Sequence, residues 1–120
     1  MNKKVLEING IKVVVLDSKE PVITDGQSAL DLLATIHYED DCGRIAIQKE
    51  AITEDFFKLS SGVAGEVLQK VVNYRKKLAI FGDFTAYTSK PLHDFMYECN
   101  RGKDIFFVKT EQEAVDKLAG

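Results

Sequence analysis

Apolar positions along this chain fall in short β-rich runs and in stretches that repeat every three to four residues. Val5-Leu6-Glu7-Ile8 and Ile11-Lys12-Val13-Val14-Val15-Leu16 are β-rich runs on either side of Asn9-Gly10. Asn-Gly between two such runs predicts an antiparallel hairpin, because both turn residues tolerate positive φ. Glu20-Pro21 ends it. Ala29, Leu32, Leu33 and Ile36 then recur at helical spacing. Thr24 with Gln27 fits a capping box for that helix, and Asp25 is a rival cap. The helix is expected to fade near Tyr38, ahead of an acidic turn, Glu39-Asp40-Asp41-Cys42-Gly43.

Arg44-Ile45-Ala46-Ile47-Gln48 reads as a short strand. Ile52 to Phe57 reads as a helical turn capped by Thr53, with Ile52 and Phe57 at the two staple positions. The stretch Leu59 to Tyr74 predicts the central helix. Val63 or Ala64, Val67, Leu68, Val71 and Val72 form its buried face, and Ser60 or Ser61 caps it. Ala64 and Gly65 leave almost no side chain in its first turn, which suits a close approach by a strand or a ligand. Lys77-Leu78-Ala79-Ile80-Phe81 is a strand whose unbroken apolar run calls for cover on both faces. Gly82-Asp83 closes it. Thr88-Ser89-Lys90-Pro91 opens another helix, with Leu92, Phe95, Met96 and Cys99 inward and Gly102 as its stop. Ile105-Phe106-Phe107-Val108 is the last strand. Thr110 and Glu113 form a second capping box, ahead of Ala114, Val115 and Leu118 on the final helix.

After the hairpin each unit is a strand followed by a helix. That order predicts an α/β fold, a five-stranded mixed sheet in which the N-terminal antiparallel hairpin is followed by parallel βα units with right-handed crossovers. Residues 1–120 form a single domain, with no internal repeat or linker. If all the helices lie on one face, the other face needs cover, and a homodimer would supply it. If they lie on both faces, no partner is needed.

Composition narrows the classes of function. The net charge is −3, where a nucleic-acid binder more often carries a basic excess. Residues 1–60 hold seven Lys/Arg against eleven Asp/Glu, and residues 61–120 nine against eight. The basic cluster Lys70, Arg75, Lys76 and Lys77 falls at the end of the central helix, where the dipole favours it. Neither a signal peptide nor a membrane-spanning run is expected. Cys42 and Cys99 lack metal or redox spacing. The expectation is a cytoplasmic chain with reduced thiols, no cofactor, no metal, no nucleic acid and no membrane. The acidic turn lacks the alternating ligands of a calcium loop and reads as solvated.

Two places could bind something. Ser60, Ser61 and Gly62 bring hydroxyls and free N–H groups to the positive end of a helix dipole, which suits an anion or a phosphate. In open parallel sheets ligands gather beyond the C-terminal strand ends, where Glu50, Ser60, Ser61, Gly62, Asp83, Thr85 and Lys109 are expected. Each of these also has a plain role as a cap or a solvated side chain. For an enzyme, Ser61, His93 and Asp83 could be drawn as a triad, but there is no nucleophile elbow. His37 and His93 lie near helix ends, where capping is the commoner role. Gly62-x-x-Gly65 is neither a dinucleotide fingerprint nor a P-loop. Asp94 and Glu98 share a solvated helix face. No residue is therefore assigned as catalytic. The Phe56-Phe57 pair is expected in the core.

The order of elements, with Ser60-Ser61-Gly62 starting the helix after the third strand, resembles a STAS domain, the fold of anti-sigma-factor antagonists. That family carries Asp-Ser-Ser-Gly-Leu-Gly here, and its second serine is phosphorylated by a partner kinase. Ser61 matches that serine and Ser60 its neighbour. Leu59 departs from the Asp. The segments Glu54-Asp55-Phe56-Phe57-Lys58-Leu59, Gly65-Glu66-Val67-Leu68-Gln69-Lys70 with Asn73-Tyr74-Arg75, and Asn100-Arg101-Gly102 are similar to the hallmark of a family of short bacterial chains described as domain of unknown function 4180. That resemblance covers most of the chain and implies no activity. The resulting expectation is a regulatory or protein-interaction module with an unidentified protein partner, switched at the Ser60/Ser61 helix start. A small-ligand binder at the C-terminal edge of the sheet is the alternative, and a small hydrolase ranks third.

Overall fold

The computed structural model describes residues 1–120. Five strands form one sheet in the order β1-β2-β3-β4-β5. They are β1 (Asn2–Ile8), β2 (Ile11–Asp17), β3 (Arg44–Gln48), β4 (Lys77–Phe81) and β5 (Ile105–Val108). β1 and β2 pair antiparallel through a turn in which Asn9 and Gly10 take φ of 53° and 81°. The other neighbours pair in parallel.

The helices are α1 (Gly26–Asp40), α2 (Val63–Asn73), α3 (Lys90–Arg101) and α4 (Glu111–Ala119). Because β2 to β5 follow one another across the sheet, right-handed crossovers put α1, α2 and α3 on the same face. Alternate strand residues split accordingly. Val14, Leu16, Ile45, Ile47, Leu78, Ile80, Ile105 and Phe107 join the core under these three helices. Val13, Val15, Ala46, Ala79 and Phe106 pack against Ala114, Val115 and Leu118 of α4. α4 follows the last strand, so no crossover dictates its side. It covers the second face, and the case for a dimer across that face lapses.

Polar contacts hold the layers in place. Lys3 and Lys4 are successive residues of β1 and point to opposite faces. Lys3 reaches Glu39 and Asp40 at the end of α1, at 3.0 and 2.8 Å, and Lys4 reaches Glu111 of α4 at 2.7 Å. Arg44 donates to the Leu118 carbonyl at the other end of α4.

Several details differ from the sequence expectation. Asp25, not Thr24, caps α1: its carboxylate accepts from the Ser28 amide at 2.8 Å, and the Ser28 hydroxyl answers to the Asp25 amide. α1 runs on to Asp40, ended by Asp41 at φ 49°. The central helix starts at Val63, not Leu59. Leu59–Ser61 forms a separate 3-10 turn, and Gly62 at φ 82° breaks the path between turn and helix. The close approach expected at Ala64-Gly65 is absent: Ala64 is buried, but a Cβ on Gly65 would meet nothing. At the end of α4's first turn the Glu113 carboxylate accepts from the Lys109 amide rather than from that of Thr110.

Candidate functional site

β3 and β4 both end at the same edge of the sheet, and the chain leaves them in different ways. After β3 the segment from Lys49 to Gly62 folds into three 3-10 turns, Lys49–Ala51, Glu54–Phe57 and Leu59–Ser61. Its apolar residues point inward. Phe56 is fully buried and Phe57 nearly so, their rings 5.0 Å apart. The Ser61 hydroxyl donates to the Asp55 carbonyl at 2.5 Å and accepts from the Val63 amide at 3.2 Å. Both of its hydrogen-bonding roles therefore tie one turn to the next. Thr53, the expected cap, makes no side-chain bond to its turn.

After β4 the chain instead surrounds an open cleft of about 500 Å³, lined by Gly82, Asp83, Phe84, Thr85, Tyr87, His93 and Lys109. Gly82 is required at its place: its φ is 157°, and a Cβ would stand 2.7 Å from Cβ of Lys49, which crosses over it. Asp83 and Thr85 form an Asx turn. Oδ1 of Asp83 accepts from the Thr85 amide at 2.9 Å and from the Thr85 hydroxyl at 2.7 Å. Those two bonds, the hydroxyl's first, hold the Asp83 carboxyl below its ordinary range, and the charges of Lys49 and Lys109 add to the effect. The Tyr87 amide donates to the Phe84 carbonyl at 3.2 Å, closing a second turn.

Tyr87 fixes the loop to the β3–α2 segment. Its ring stacks on Phe57 at 4.8 Å between centroids, with Lys49 Nζ 5.1 Å from the ring centre. Its hydroxyl faces both Glu54 carboxylate oxygens, at 3.0 and 2.9 Å, and donates to them. Burial first, and the Glu54 carboxylate second, push the phenol well above its usual range, so it remains a donor at neutral pH. His93, in the first turn of α3, places Nε2 at 2.5 Å from the Tyr87 carbonyl. A carbonyl only accepts, so Nε2 carries the proton and Nδ1 of the neutral ring is left as an acceptor. Phe84 packs against Phe57 and Phe107 and supplies the apolar wall.

Of the residues expected at a site, the structure brings Asp83, Thr85 and Lys109 together in this cleft. Ser60, Ser61, Gly62 and Glu50 do not line it. Glu50 is exposed in the first 3-10 turn, and its charge adds to the field at Tyr87. Ser60 is exposed and Ser61 is engaged as above. The drawn triad is not assembled, since Asp83 and His93 line the cleft without Ser61. Cys99 is half-buried, and burial with the Glu98 charge pushes its thiol up to about 11, so it is not poised as a nucleophile. No group of three or more His, Cys, Asp or Glu residues is placed to hold a metal ion. Sequence reasoning missed Phe84 and Tyr87. The signal was an aromatic residue on each side of a loop that leaves a parallel strand through Gly-Asp.

The polar residues near helix ends have structural work. Asn100, in the last turn of α3, accepts from the Phe107 amide at 2.7 Å and donates to the Phe107 carbonyl at 3.1 Å. β5 is an edge strand, so one side-chain amide takes the place of a neighbouring strand there. Arg75 sits at φ 57° where α2 ends. The Lys76 amide bonds back to the Val71 carbonyl and the Arg75 amide to that of Val72, the pattern of a Schellman motif, with arginine where glycine is usual. Arg101 lies over the Tyr97 ring at 5.7 Å.

The profile described as domain of unknown function (DUF4180) matches residues 8–118, and the chain belongs to that family. No curated protein and no solved structure matches the chain. No helix is long and apolar enough to cross a membrane.

Proposed function

We propose that this member of the DUF4180 family is a small-ligand-binding module whose site is the cleft between the β4–α3 loop and the end of β5. One observation carries the reading. The cleft of about 500 Å³ lies beyond the C-terminal ends of two adjacent parallel strands, where ligands of open α/β sheets gather. Its size falls in the range of small-molecule sites, and it combines an apolar ring with a few convergent polar groups. The loop is held by its own hydrogen bonds and by Tyr87, so little ordering has to accompany binding. A cytoplasmic setting belongs to this reading, supported by two free thiols, Cys42 and Cys99.

A fragment screen on the full chain, followed by amide NMR, tests the reading. Hits are expected to shift the amides of Gly82 to Tyr87 and of Lys109. A chemically diverse screen in which no compound shifts them would sink it.

A second reading is the STAS-like regulatory module. It is favoured by the order of elements and by one link in the structure. The Ser60-Ser61 turn is tied to Asp55, whose neighbour Glu54 holds Tyr87 at the cleft. A phosphate on exposed Ser60 would add charge within that connected segment. Under this reading Ser60→Asp shifts the Tyr87 amide and changes capture of a protein partner, whereas Ser60→Ala does neither. Identical spectra and identical capture for the two variants would remove it.

A further inference from the structure

The groups lining the cleft have unequal free capacity, and that inequality says what kind of molecule fits. Asp83 uses Oδ1 for both Thr85 bonds, which leaves Oδ2 as an uncommitted anionic acceptor. The backbone amide of Lys109 is bonded to Glu113, but its ammonium group forms neither a hydrogen bond nor an ion pair, unlike Lys49, which pairs with Glu54 at 3.7 Å. Asp83 and Lys109 therefore line one cavity with opposite charges, near enough to feel each other and too far apart to pair. Phe84 lines the same cavity and supplies its apolar surface, and His93 lines it too.

Two opposite charges separated across a cleft favour a ligand that carries both charges in the reverse order. A simple anion would meet Lys109 but stand against Asp83. A simple cation would meet Asp83 but stand against Lys109. A neutral apolar molecule would cover Phe84 and leave both charges with less water around them, which costs free energy. A short zwitterion satisfies both charges at once. An apolar body attached to it would lie on Phe84.

We propose that the cleft takes a small zwitterion with an apolar side chain, the chemistry of a free amino acid, with its ammonium on Asp83 Oδ2, its carboxylate on Lys109 Nζ and its side chain against Phe84. This rests on the cleft being the binding site. The Asx turn that occupies Oδ1 fixes the orientation of the Asp83 carboxylate, so the site is arranged before the ligand arrives.

The test uses three probes that share one apolar body: L-phenylalanine, phenethylamine and 3-phenylpropionate, titrated into the full chain and followed by amide NMR. L-phenylalanine is expected to shift the amides of Gly82, Asp83, Phe84, Thr85 and Lys109. It should bind about tenfold or more tightly than either singly charged analogue, a difference of about 1.4 kcal/mol. Asp83→Asn should bring its affinity down to that of 3-phenylpropionate, and Lys109→Met to that of phenethylamine, with amides outside the cleft unmoved as the check on folding. If either analogue binds at these amides as tightly as the amino acid, the zwitterion proposal falls and the cleft remains a site for that analogue's charge type. If none of the three shifts these amides but a neutral aromatic such as benzyl alcohol does, the zwitterion proposal falls and the cleft remains a site for apolar molecules. If no compound shifts them, both readings fall.

Discussion

Two segments leave neighbouring parallel strands at the same edge of the sheet. The one after β3 carries the more suggestive sequence, a Ser-Ser-Gly ahead of a helix. The one after β4 carries a Gly-Asp and two aromatics. Yet the first, exposed Ser60 apart, is spent on structure, and the second is left open. The Ser61 hydroxyl donates to the Asp55 carbonyl and accepts from the Val63 amide, and Phe56 and Phe57 fill the core. Asp83, His93 and Lys109 all line a cleft, and Asp83 Oδ2 and the Lys109 ammonium are uncommitted. The difference shows that a hydroxyl at a helix start is available to a ligand only where the local backbone has not already claimed it.

The largest expected effect makes this difference quantitative. Phe56→Ala removes a fully buried ring that touches Phe57 and Phe107. It should cost about 3–5 kcal/mol, a large part of the stability of an ordinary domain. Phe84 is only half-buried, and Phe84→Ala should cost much less while abolishing binding in the cleft. Urea denaturation of both variants checks the ranking. Equal losses would mean that the two segments are not divided between structure and site.

Next in size is Asn100→Ala. It leaves the Phe107 amide and carbonyl without their partner at the free edge of β5. The expected loss is about 1–3 kcal/mol. The opened edge should also make the chain self-associate with rising concentration, read by sedimentation velocity. A variant that stays monomeric and equally stable would show that the edge is protected by something else. Asn100 does not itself line the cleft, so ligand binding should persist in whatever monomer remains.

What the sequence made legible, and what it did not, follows the same division. Strands β2 to β5 were readable as short apolar runs because both of their faces are buried, and the inward faces of α1, α3 and α4 because burial imposes a period on them. The start of α2 was misplaced because Gly62 interrupts the chain with a left-handed residue, and periodicity does not register a single break of that kind. The folding of Lys49 to Gly62 into three short turns was only partly visible, since 3-10 turns are too short to show a repeat. Asp83, Thr85 and Lys109 were readable as strand-end residues, but the cleft was not. Its aromatic wall comes from a loop, where no period applies. Asn100 was readable as a helix-end residue. Its partner was not, because which strand lies at the edge is a property of the assembled sheet.

A smaller effect separates the two segments more finely. Ser61→Ala removes one donated and one accepted hydrogen bond. It should cost about 0.5–1.5 kcal/mol and leave the affinity of any cleft ligand unchanged. A loss of affinity with no loss of stability would move the functional site back to the α2 start.

The smallest effect lies in the acid range. The Asp83 carboxyl has its folded-state pKa lowered, first by the Thr85 hydroxyl and then by the Thr85 amide. A lowered carboxyl contributes stability that is fully present above its unfolded value, about 3.9, and is lost as pH falls through the folded value. Asp83→Asn should therefore differ from the parent by a constant amount at neutral pH, and the gap should shrink only below about pH 4. Thr85→Val removes the hydroxyl that contributes most, so the loss should become smaller and be complete at a higher pH, nearer the ordinary carboxylate range. Ser61→Ala touches no titrating group in its hydrogen bonds, and its deficit should stay the same through the acid range. Urea denaturation at a series of pH values distinguishes these profiles. If the Asp83→Asn gap stays constant to the lowest pH at which the chain folds, the Asx turn does not hold the carboxylate, and the pre-arranged acceptor on which the cleft depends is lost with it.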